Sequence, residues 1–335
     1  MQAIFMVGEQ RSGSNLLRLI LNESSNIAAP HPPHILQRMM PLVSIYGDLS
    51  TNKAFNKLID DVCQLVELNP VPWDKVKLNR KEVLKRCSER SLIAVYGAIM
   101  DLYAEAHGAS AWMCKSMQNI HWADEINLYF DNPKYIYLYR DPRDVTLSFT
   151  KAVIGEKHPY FIAKQWNELQ ELCIEQMNSL STKSIFPISY ENLLANPEKI
   201  VKKLCQFLDI DFSQNMLNFH TSKEAERSAK SSSLWENLSQ PIKSNNSKKF
   251  MNELTTEEIK IIESITGNVM DSLGYERTLI NKGEELIFSD DDIASFEEQN
   301  SAAKAKNTSK IDPDDLKRRK LQTGFINKIS EMATA

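Results

Sequence analysis

The residues near the amino terminus that are best suited to chemistry form a glycine-bounded loop, Gly8–Gly13, with the spacing GxxxxG. Such a loop folds tightly round an anion, and the following helix adds a partial positive charge. Nucleoside triphosphatases then carry Lys and Ser/Thr, but here Ser14 and Asn15 follow. The lysine and the Mg²⁺-binding hydroxyl are missing, and the positive charge lies inside the loop, at Arg11. The loop predicts a site for one anionic group rather than a metal-bound triphosphate; the alternative is a tight turn with a solvated arginine.

A second polar pair follows the apolar segment Lys134–Tyr139. Arg140 stands at the end of that segment, and Ser148 lies about two helical turns further on. An arginine and a hydroxyl that converge in this way form a charge-assisted phosphate site. An ordinary Arg–Asp ion pair beside a surface serine is the alternative.

The elements that position these residues read as an α/β fold. Ala3–Val7 is a short continuous apolar run, which is typical of a buried strand, and the loop then leads into a helix over Ser14–Asn22. Strand, glycine turn and helix open a doubly wound parallel sheet, in which ligands bind at the carboxyl ends of the strands. We therefore predict a P-loop-NTPase-like doubly wound parallel sheet flanked by helices. Further strands are predicted at 111–114, 134–139 and 184–189, and helices at 52–67, 80–107, from 144, 162–180, 197–208 and 256–273.

The domain organisation follows from changes in composition. Residues 1–280 are expected to form one α/β domain, in which Ser222–Phe250 is polar and irregular. Residues 281–335 form a charged extension that is predicted to be helical or disordered, with an amphipathic helix over Leu321–Met332.

Composition excludes several classes of protein. The chain has 335 residues and a net charge of −4, so no global positive field favours nucleic acid or an anionic membrane. The five cysteines are widely spaced without a CxxC pair, which argues against a zinc or disulfide framework. No apolar stretch approaches the roughly 20 residues that span a bilayer. No signal peptide is evident, and we expect a cytoplasmic protein.

Four segments together resemble the PAPS-dependent sulfotransferase family, where PAPS is 3′-phosphoadenosine 5′-phosphosulfate. The Arg11-Ser-Gly loop is similar to the form in tyrosylprotein and many bacterial sulfotransferases. The other segments are Arg140 with Ser148, then Ile188–Leu208 with its Tyr190-Glu-Asn-Leu-Leu and Leu-Cys-Gln-Phe-Leu motifs, and finally Ser233–Phe250. The resemblance spans about Ile4 to Tyr275 and implies that family's α/β fold.

The resemblance also implies a function. The chain is expected to transfer a sulfuryl group from PAPS to an acceptor hydroxyl by in-line displacement, releasing adenosine 3′,5′-bisphosphate without a metal. Arg11 and Lys115 are implied as catalytic cations, and Arg140 with Ser148 as the 3′-phosphate pair. Lys151 lies near a further basic position of the family without matching it. The implied cofactor-binding residues are Arg11, Ser12, Gly13, Ser14, Asn15, Arg140, Ser148, Trp235 and Lys249.

The general base is predicted to be a histidine. Relatives often carry a glutamate at the place where this chain has His31, and an imidazole takes up a proton near neutral pH. His34 is the second candidate and His121 the third, while His158 is a candidate for the acceptor pocket. For each histidine alone, simple packing or contact with water is the alternative.

Several points stay open at the level of sequence. The acceptor is a saccharide, a peptide tyrosine, a lipid or a small metabolite, and a homodimer is neither indicated nor excluded. A P-loop nucleotide kinase or NTPase is the alternative enzyme, although Ser14 argues against it. A non-catalytic nucleotide-binding protein is favoured instead if Lys115 and His31 prove idle.

Overall fold

A parallel sheet forms the centre of the computed structural model, which describes residues 1–231, 237–243, 245–309 and 311–332. Its five strands have the order β2-β3-β1-β4-β5, and every neighbouring pair is parallel. This arrangement confirms the predicted α/β class. The strands are β1 (Gln2–Gly8), β2 (Ile27–Ala28), β3 (Ala111–Cys114), β4 (Lys134–Tyr139) and β5 (Ile185–Ser189).

Apolar side chains of β1 alternate between two cores, one on each face of the sheet. Phe5 and Val7 point into one core, whereas Ile4 and Met6 point into the other. Both faces are therefore covered, as parallel sheets require, and β1 reads as a continuous apolar run.

Helices cover both faces of the sheet. The segment expected to be helical over 80–107 is divided, because the Ser91 hydroxyl accepts a hydrogen bond from the Ala94 amide and starts a new helix. The segment expected to be irregular contains a helix that begins at Lys223. The helices up to Leu273 are α1 (Ser14–Asn22), α2 (Ile35–Met39), α3 (Asn52–Glu67), α4 (Arg80–Arg86), α5 (Leu92–Ala106), α6 (Ala123–Tyr129), α7 (Pro142–Lys151), α8 (Pro159–Ser179), α9 (Tyr190–Ala195), α10 (Pro197–Leu208), α11 (Lys223–Ser231), α12 (Phe250–Glu253) and α13 (Thr256–Leu273).

The charged carboxyl-terminal extension is helical and packs against the rest of the chain. It forms α14 (Asp290–Thr308) and α15 (Pro313–Glu331). Gln322 of α15 donates from Nε2 to the Leu65 carbonyl over 2.9 Å, and Ile329 is buried in the core that contains α3. The amphipathic helix predicted from Leu321 thus begins earlier, at Pro313, where Asp312 caps it.

The parallel topology determines where the candidate residues lie. Because all five strands run the same way, the segment after each one emerges at the same edge of the sheet. The phosphate loop follows β1, and Lys115, Arg140 and Tyr190 follow β3, β4 and β5. His31 comes shortly after β2.

In the described part of the chain, no helix is both long enough and apolar enough to pass through a bilayer.

Candidate functional site

The loop between β1 and α1 requires its glycines. Gly8 has φ 125°, and an added Cβ would lie 2.3 Å from the Leu138 carbonyl oxygen. Gly13 has φ 89°, and its Cβ would lie 2.4 Å from the Tyr190 ring. Arg11 itself has φ 66°. The loop thus has a positive φ at three residues, which turns its backbone towards the amino terminus of α1.

Arg11 connects this loop to the second predicted pair. Its Nε donates to the Ser148 Oγ over 2.9 Å, and its carbonyl accepts from Arg140 Nη1 over 3.0 Å. Burial, together with the charge of Arg140, lowers the pKa of Arg11. Two arginines brought together in this way create a local excess of positive charge, which an anion would neutralise.

Arg140 is 7% exposed and is oriented from several sides. Its Nη2 donates to the Asn246 carbonyl over 3.1 Å, and its guanidinium lies 4.5 Å from the centre of the Tyr190 ring. The Asp144 carboxylate is 3.6 Å away. The Arg140 Nε is buried and has no partner among the described residues. A buried donor without an acceptor is costly, so this nitrogen is suited to a ligand oxygen.

Asp144 anchors the late loop that carries Lys249. Its two carboxylate oxygens accept from the amides of Lys248 and Phe250, over 2.6 and 3.0 Å. In the same loop Asn246 donates from Nδ2 to the Tyr190 hydroxyl over 2.8 Å. Trp235, the remaining candidate of this region, lies outside the described residues.

These residues surround one cavity of about 610 Å³, a volume typical of small-molecule sites, which run from roughly 300 to 1,000 Å³. The loop arginine and the strand-end arginine therefore face the same cavity. Lys151 also lines it. Ser12 is buried, and its Oγ has no partner within the described part of the chain. The predicted cofactor-binding residues on the cavity wall are Arg11, Gly13, Ser14, Asn15, Arg140, Ser148 and Lys249.

Lys115 comes directly after β3 and is not among the residues that line this cavity. Burial, together with the charges of Arg18 and Arg11, lowers its pKa to about 7. Its amine has no hydrogen-bond or ion-pair partner among the residues that the structure describes. A half-buried amine without a partner is free to meet an anionic group.

His31 is 4% exposed and belongs to a buried polar cluster. Its Nε2 lies 3.0 Å from Arg18 Nη2 and 2.9 Å from Ser228 Oγ. A guanidinium can only donate, so Nε2 must accept and the proton of the neutral ring is on Nδ1. Burial, with the charges of Arg18 and Lys115, keeps the pKa of His31 well below its ordinary value.

His34 has a different environment, at the start of α2. It is half-buried, and its Nδ1 has no partner among the described residues. Burial lowers its pKa to about 3, assisted by the charges of Lys115, Arg38 and Arg319. His34 is therefore neutral at pH 7, with one nitrogen available.

The two remaining candidate histidines, His121 and His158, lie apart from this group. His121 is exposed and its ring packs edge-on against Trp122. His158 caps α8, because its Nδ1 accepts from the Tyr160 amide over 3.3 Å. Neither lines the cavity.

Sequence reasoning missed four residues of the site. Glu9 is fully buried inside the phosphate loop, accepts from the Gln10 amide over 2.6 Å, and has a pKa that burial raises to about 7. Tyr190 orients Arg140, Asp144 holds the late loop, and Arg18 orients His31. Glu9, Tyr190 and Asp144 lie within a few residues of strand ends, but this position does not reveal their contacts, and Arg18 lies inside α1 without such a signal. Within the described ranges, no group of three or more His, Cys, Asp or Glu side chains is arranged to hold a metal ion.

Comparison with known proteins identifies related sequences. A model of the sulfotransferase family matches residues 3–214. A putative protein-tyrosine sulfotransferase of Caenorhabditis briggsae is 24% identical over 214 residues, which cover 61% of this chain and 74% of that protein. Protein-tyrosine sulfotransferase 2 of Gallus gallus is 21% identical, with 65% and 54% covered. An uncharacterised protein of Aquifex aeolicus is 23% identical, but the chain spans only 28% of its length.

Solved structures show the same fold. The sulfotransferase domain of the curacin biosynthetic pathway aligns with a TM-score of 0.59 at 22% identity, covering 83% of this chain and 99% of that domain. The sulfotransferase domain of the Synechococcus PCC 7002 olefin synthase gives a TM-score of 0.53 at 19% identity, with 82% and 95% covered.

Proposed function

Because this chain belongs to the sulfotransferase family, we propose that it transfers a sulfuryl group from PAPS to an acceptor hydroxyl and releases adenosine 3′,5′-bisphosphate. One observation carries the proposal. Arg11 and Arg140 come from different loops, line one cavity and have few acidic neighbours there. PAPS has anionic groups at two separate positions of its nucleoside, and two arginine-bearing loops suit such a ligand.

The proposed binding mode places the two anionic groups of PAPS in different parts of the cavity. The 5′-phosphosulfate lies on the loop, against Arg11 and the amides of residues 12–15. The 3′-phosphate lies against Arg140, whose Nε is without a partner among the residues described, and against Ser148. The Ser148 oxygen already accepts from Arg11, so its hydroxyl hydrogen is left to donate to a phosphate oxygen. Lys249 and Trp235 are proposed to close the late loop over the nucleotide.

The reaction requires the protein to position the acceptor oxygen next to the sulfur atom and to stabilise negative charge. The acceptor oxygen attacks sulfur, the bond from sulfur to the 5′-phosphate oxygen breaks, and the negative charge goes to the leaving phosphate. Arg11 is proposed to stabilise that oxygen and Lys115 the sulfuryl oxygens. A bound anion raises the pKa of Lys115 above its free value of about 7, so the amine is protonated when the donor is present.

For the base, we propose His34 ahead of His31, in the reverse of their order from sequence. His34 has an Nδ1 without a partner among the described residues, whereas Nε2 of His31 accepts from Arg18. The pKa of about 3 makes His34 a weak base in the free protein. The anionic donor would raise that pKa through the same charge interaction by which Lys115 lowers it.

The acceptor class is the least restricted part of the proposal. The curated relatives named above are protein-tyrosine sulfotransferases, which makes a tyrosine hydroxyl one candidate acceptor. Saccharides, lipids and small metabolites remain candidates beside it.

A ligand titration tests the proposed donor site. Adenosine 3′,5′-bisphosphate should raise the melting temperature more than adenosine 5′-phosphate or ATP–Mg²⁺ does. Arg140→Ala should weaken bisphosphate binding by roughly 10- to 100-fold, since it removes charged hydrogen bonds, and should affect the 5′-phosphate much less. Arg86→Ala, which breaks surface ion pairs with Glu82 and Glu105, is the control for loss of an arginine.

Two results would contradict the proposal. Equal losses for both nucleotides in Arg140→Ala would remove the 3′-phosphate assignment. Stronger stabilisation by ATP–Mg²⁺ than by the bisphosphate would favour the kinase alternative.

A further inference from the structure

Helix α14 lies against the segment that links α7 to α8, and a single buried side chain makes the main contact. Asn300 is 7% exposed. Its Oδ1 accepts from the amides of Lys157 and His158 over 2.8 and 3.0 Å. Its Nδ2 donates to the Glu156 carboxylate. Every polar atom of this amide is therefore used to hold three consecutive residues of the link.

Other contacts of α14 reach the same link. Lys304 pairs with Glu156 over 3.0 Å, and Asn307 donates from Nδ2 to the Thr150 carbonyl over 3.2 Å. The Phe296 ring stacks on His158 with centres 4.4 Å apart. The helix thus touches both the end of α7 and the start of α8.

The link is also closed on itself. The Lys157 amine turns inward and donates to the carbonyls of Phe149 and Ile154 over 2.9 and 2.7 Å. Gly155 has φ 82°, and a Cβ there would lie 2.9 Å from the Phe149 ring. Residues 152–157 therefore form a loop that folds back onto Phe149 at the end of α7, and Asn300 anchors this loop from outside.

This loop continues a wall of the cavity. The cavity is lined here by five residues from the end of α7 and the start of the loop: Leu147, Ser148, Lys151, Ala152 and Val153. Glu156, the first residue that Asn300 holds, lies three positions after Val153. A loop closed in this way transmits a displacement at Lys157 to the cavity wall, because packed elements move as units.

We propose that Asn300 is a positioning residue for the nucleotide, holding the wall that carries Ser148 in its binding geometry from a helix outside the matched family region. This inference rests on the proposed function. Because coupling is reciprocal, a nucleotide in the cavity also stabilises the docking of α14.

The test compares two buried amides that each hold a carboxyl-terminal helix. Asn300→Leu leaves two buried amides without their acceptor. Gln322→Met removes the bond from α15 to Leu65 at a site that does not line the cavity. Calorimetric titration of the 335-residue chain with adenosine 3′,5′-bisphosphate should show about a tenfold or greater loss of affinity for Asn300→Leu. The affinity of Gln322→Met should remain within about twofold of that of the unaltered chain, which is the variation expected for a substitution at an independent, distant site.

A second measurement needs no nucleotide. Hydrogen exchange at the amides of Lys157 and His158 should be faster in Asn300→Leu than in Gln322→Met. If Asn300→Leu does not fold, Asn307→Ala takes its place, since it removes only the contact with Thr150.

Each outcome has a definite meaning. Unchanged bisphosphate affinity in Asn300→Leu, or equal losses in both variants, would overturn the positioning role while leaving the proposed function intact. An unaltered chain that binds no bisphosphate would overturn the proposed function, and this inference with it. A loss confined to Asn300→Leu, with faster exchange at the two amides, is the expected result.

Discussion

At the scale of single residues, hydrogen-bond occupancy separates the two candidate bases. His31 and His34 are three positions apart in a proline-rich loop, and sequence alone favoured the first. The Arg18 guanidinium occupies Nε2 of His31, so that nitrogen would have to leave a buried cluster before it could take a proton. His34 has no such engagement at Nδ1 among the described residues. Availability of a lone pair, rather than position in the chain, therefore decides the proposal.

We expect His34→Ala to lower the rate of sulfuryl transfer by about a hundredfold or more, the contribution of a positioned general base. The affinity for PAPS should stay close to that of the unaltered chain, since His34 does not line the donor cavity. Single-turnover transfer from ³⁵S-labelled PAPS measures the rate, and added imidazole should restore part of it.

His31→Ala is the matched comparison. It should lower turnover less and keep PAPS binding. A large loss in His31→Ala beside a normal rate in His34→Ala would return the base to His31.

At the scale of elements, the strand ends account for what the sequence could predict. The apolar run of β1, the glycine spacing and the Arg140–Ser148 interval are local patterns, and the helix Ser14–Asn22 has the predicted bounds. Glu9 and Arg18 could not be assigned in the same way. Their roles come from contacts with Gln165 and Ser228, far along the chain, and no local pattern reports such contacts.

The phosphate loop is the element most sensitive to one added carbon. Gly13→Ala places a Cβ 2.4 Å from the Tyr190 ring at φ 89°, so either the loop or the ring that supports Arg140 must move. We expect bisphosphate binding to fall below detection, with a larger loss of unfolding free energy than left-handed strain alone, about 1 to 2 kcal/mol, would give.

Gly108→Ala is the control for that strain. Gly108 has φ 69°, and nothing lies within 4 Å of its added Cβ. Urea denaturation and bisphosphate titration of both variants separate strain from collision. Normal binding in Gly13→Ala would show that the loop tolerates the displacement.

At the scale of the whole molecule, the carboxyl-terminal helices change how the chain is understood. Composition predicted a charged extension, and it left helix and disorder equally open. Gln322 and Asn300 place buried amides against the body of the fold, and isolated polar residues in a charged segment give no sequence signal of burial. The domain boundary at residue 280 stays a prediction, but side chains beyond it contact residues before it, as Gln322 does with Leu65 and Asn300 with Lys157.

The pH dependence of folding is also a property of the whole molecule, and Glu9 gives it a specific component. Burial raises the pKa of Glu9 from 4.5 to about 7 in the folded chain. Between those values the folded state holds a proton that the unfolded state has released. The stabilising contribution is therefore complete below about pH 4.5, and it is lost as pH rises through about 7.

Glu9→Gln removes this titration and keeps an oxygen that can accept from the Gln10 amide. Relative to Glu9→Gln, the unaltered chain should lose unfolding free energy between pH 5 and pH 8, by at most about 3 kcal/mol. Urea denaturation of both proteins at several pH values measures the difference, and the subtraction cancels other ionisable groups such as His31, whose lowered pKa acts in the opposite direction. Parallel stability curves for the two proteins would mean that the buried carboxyl does not titrate in this range, and the loop would then hold a charged Glu9 at every working pH.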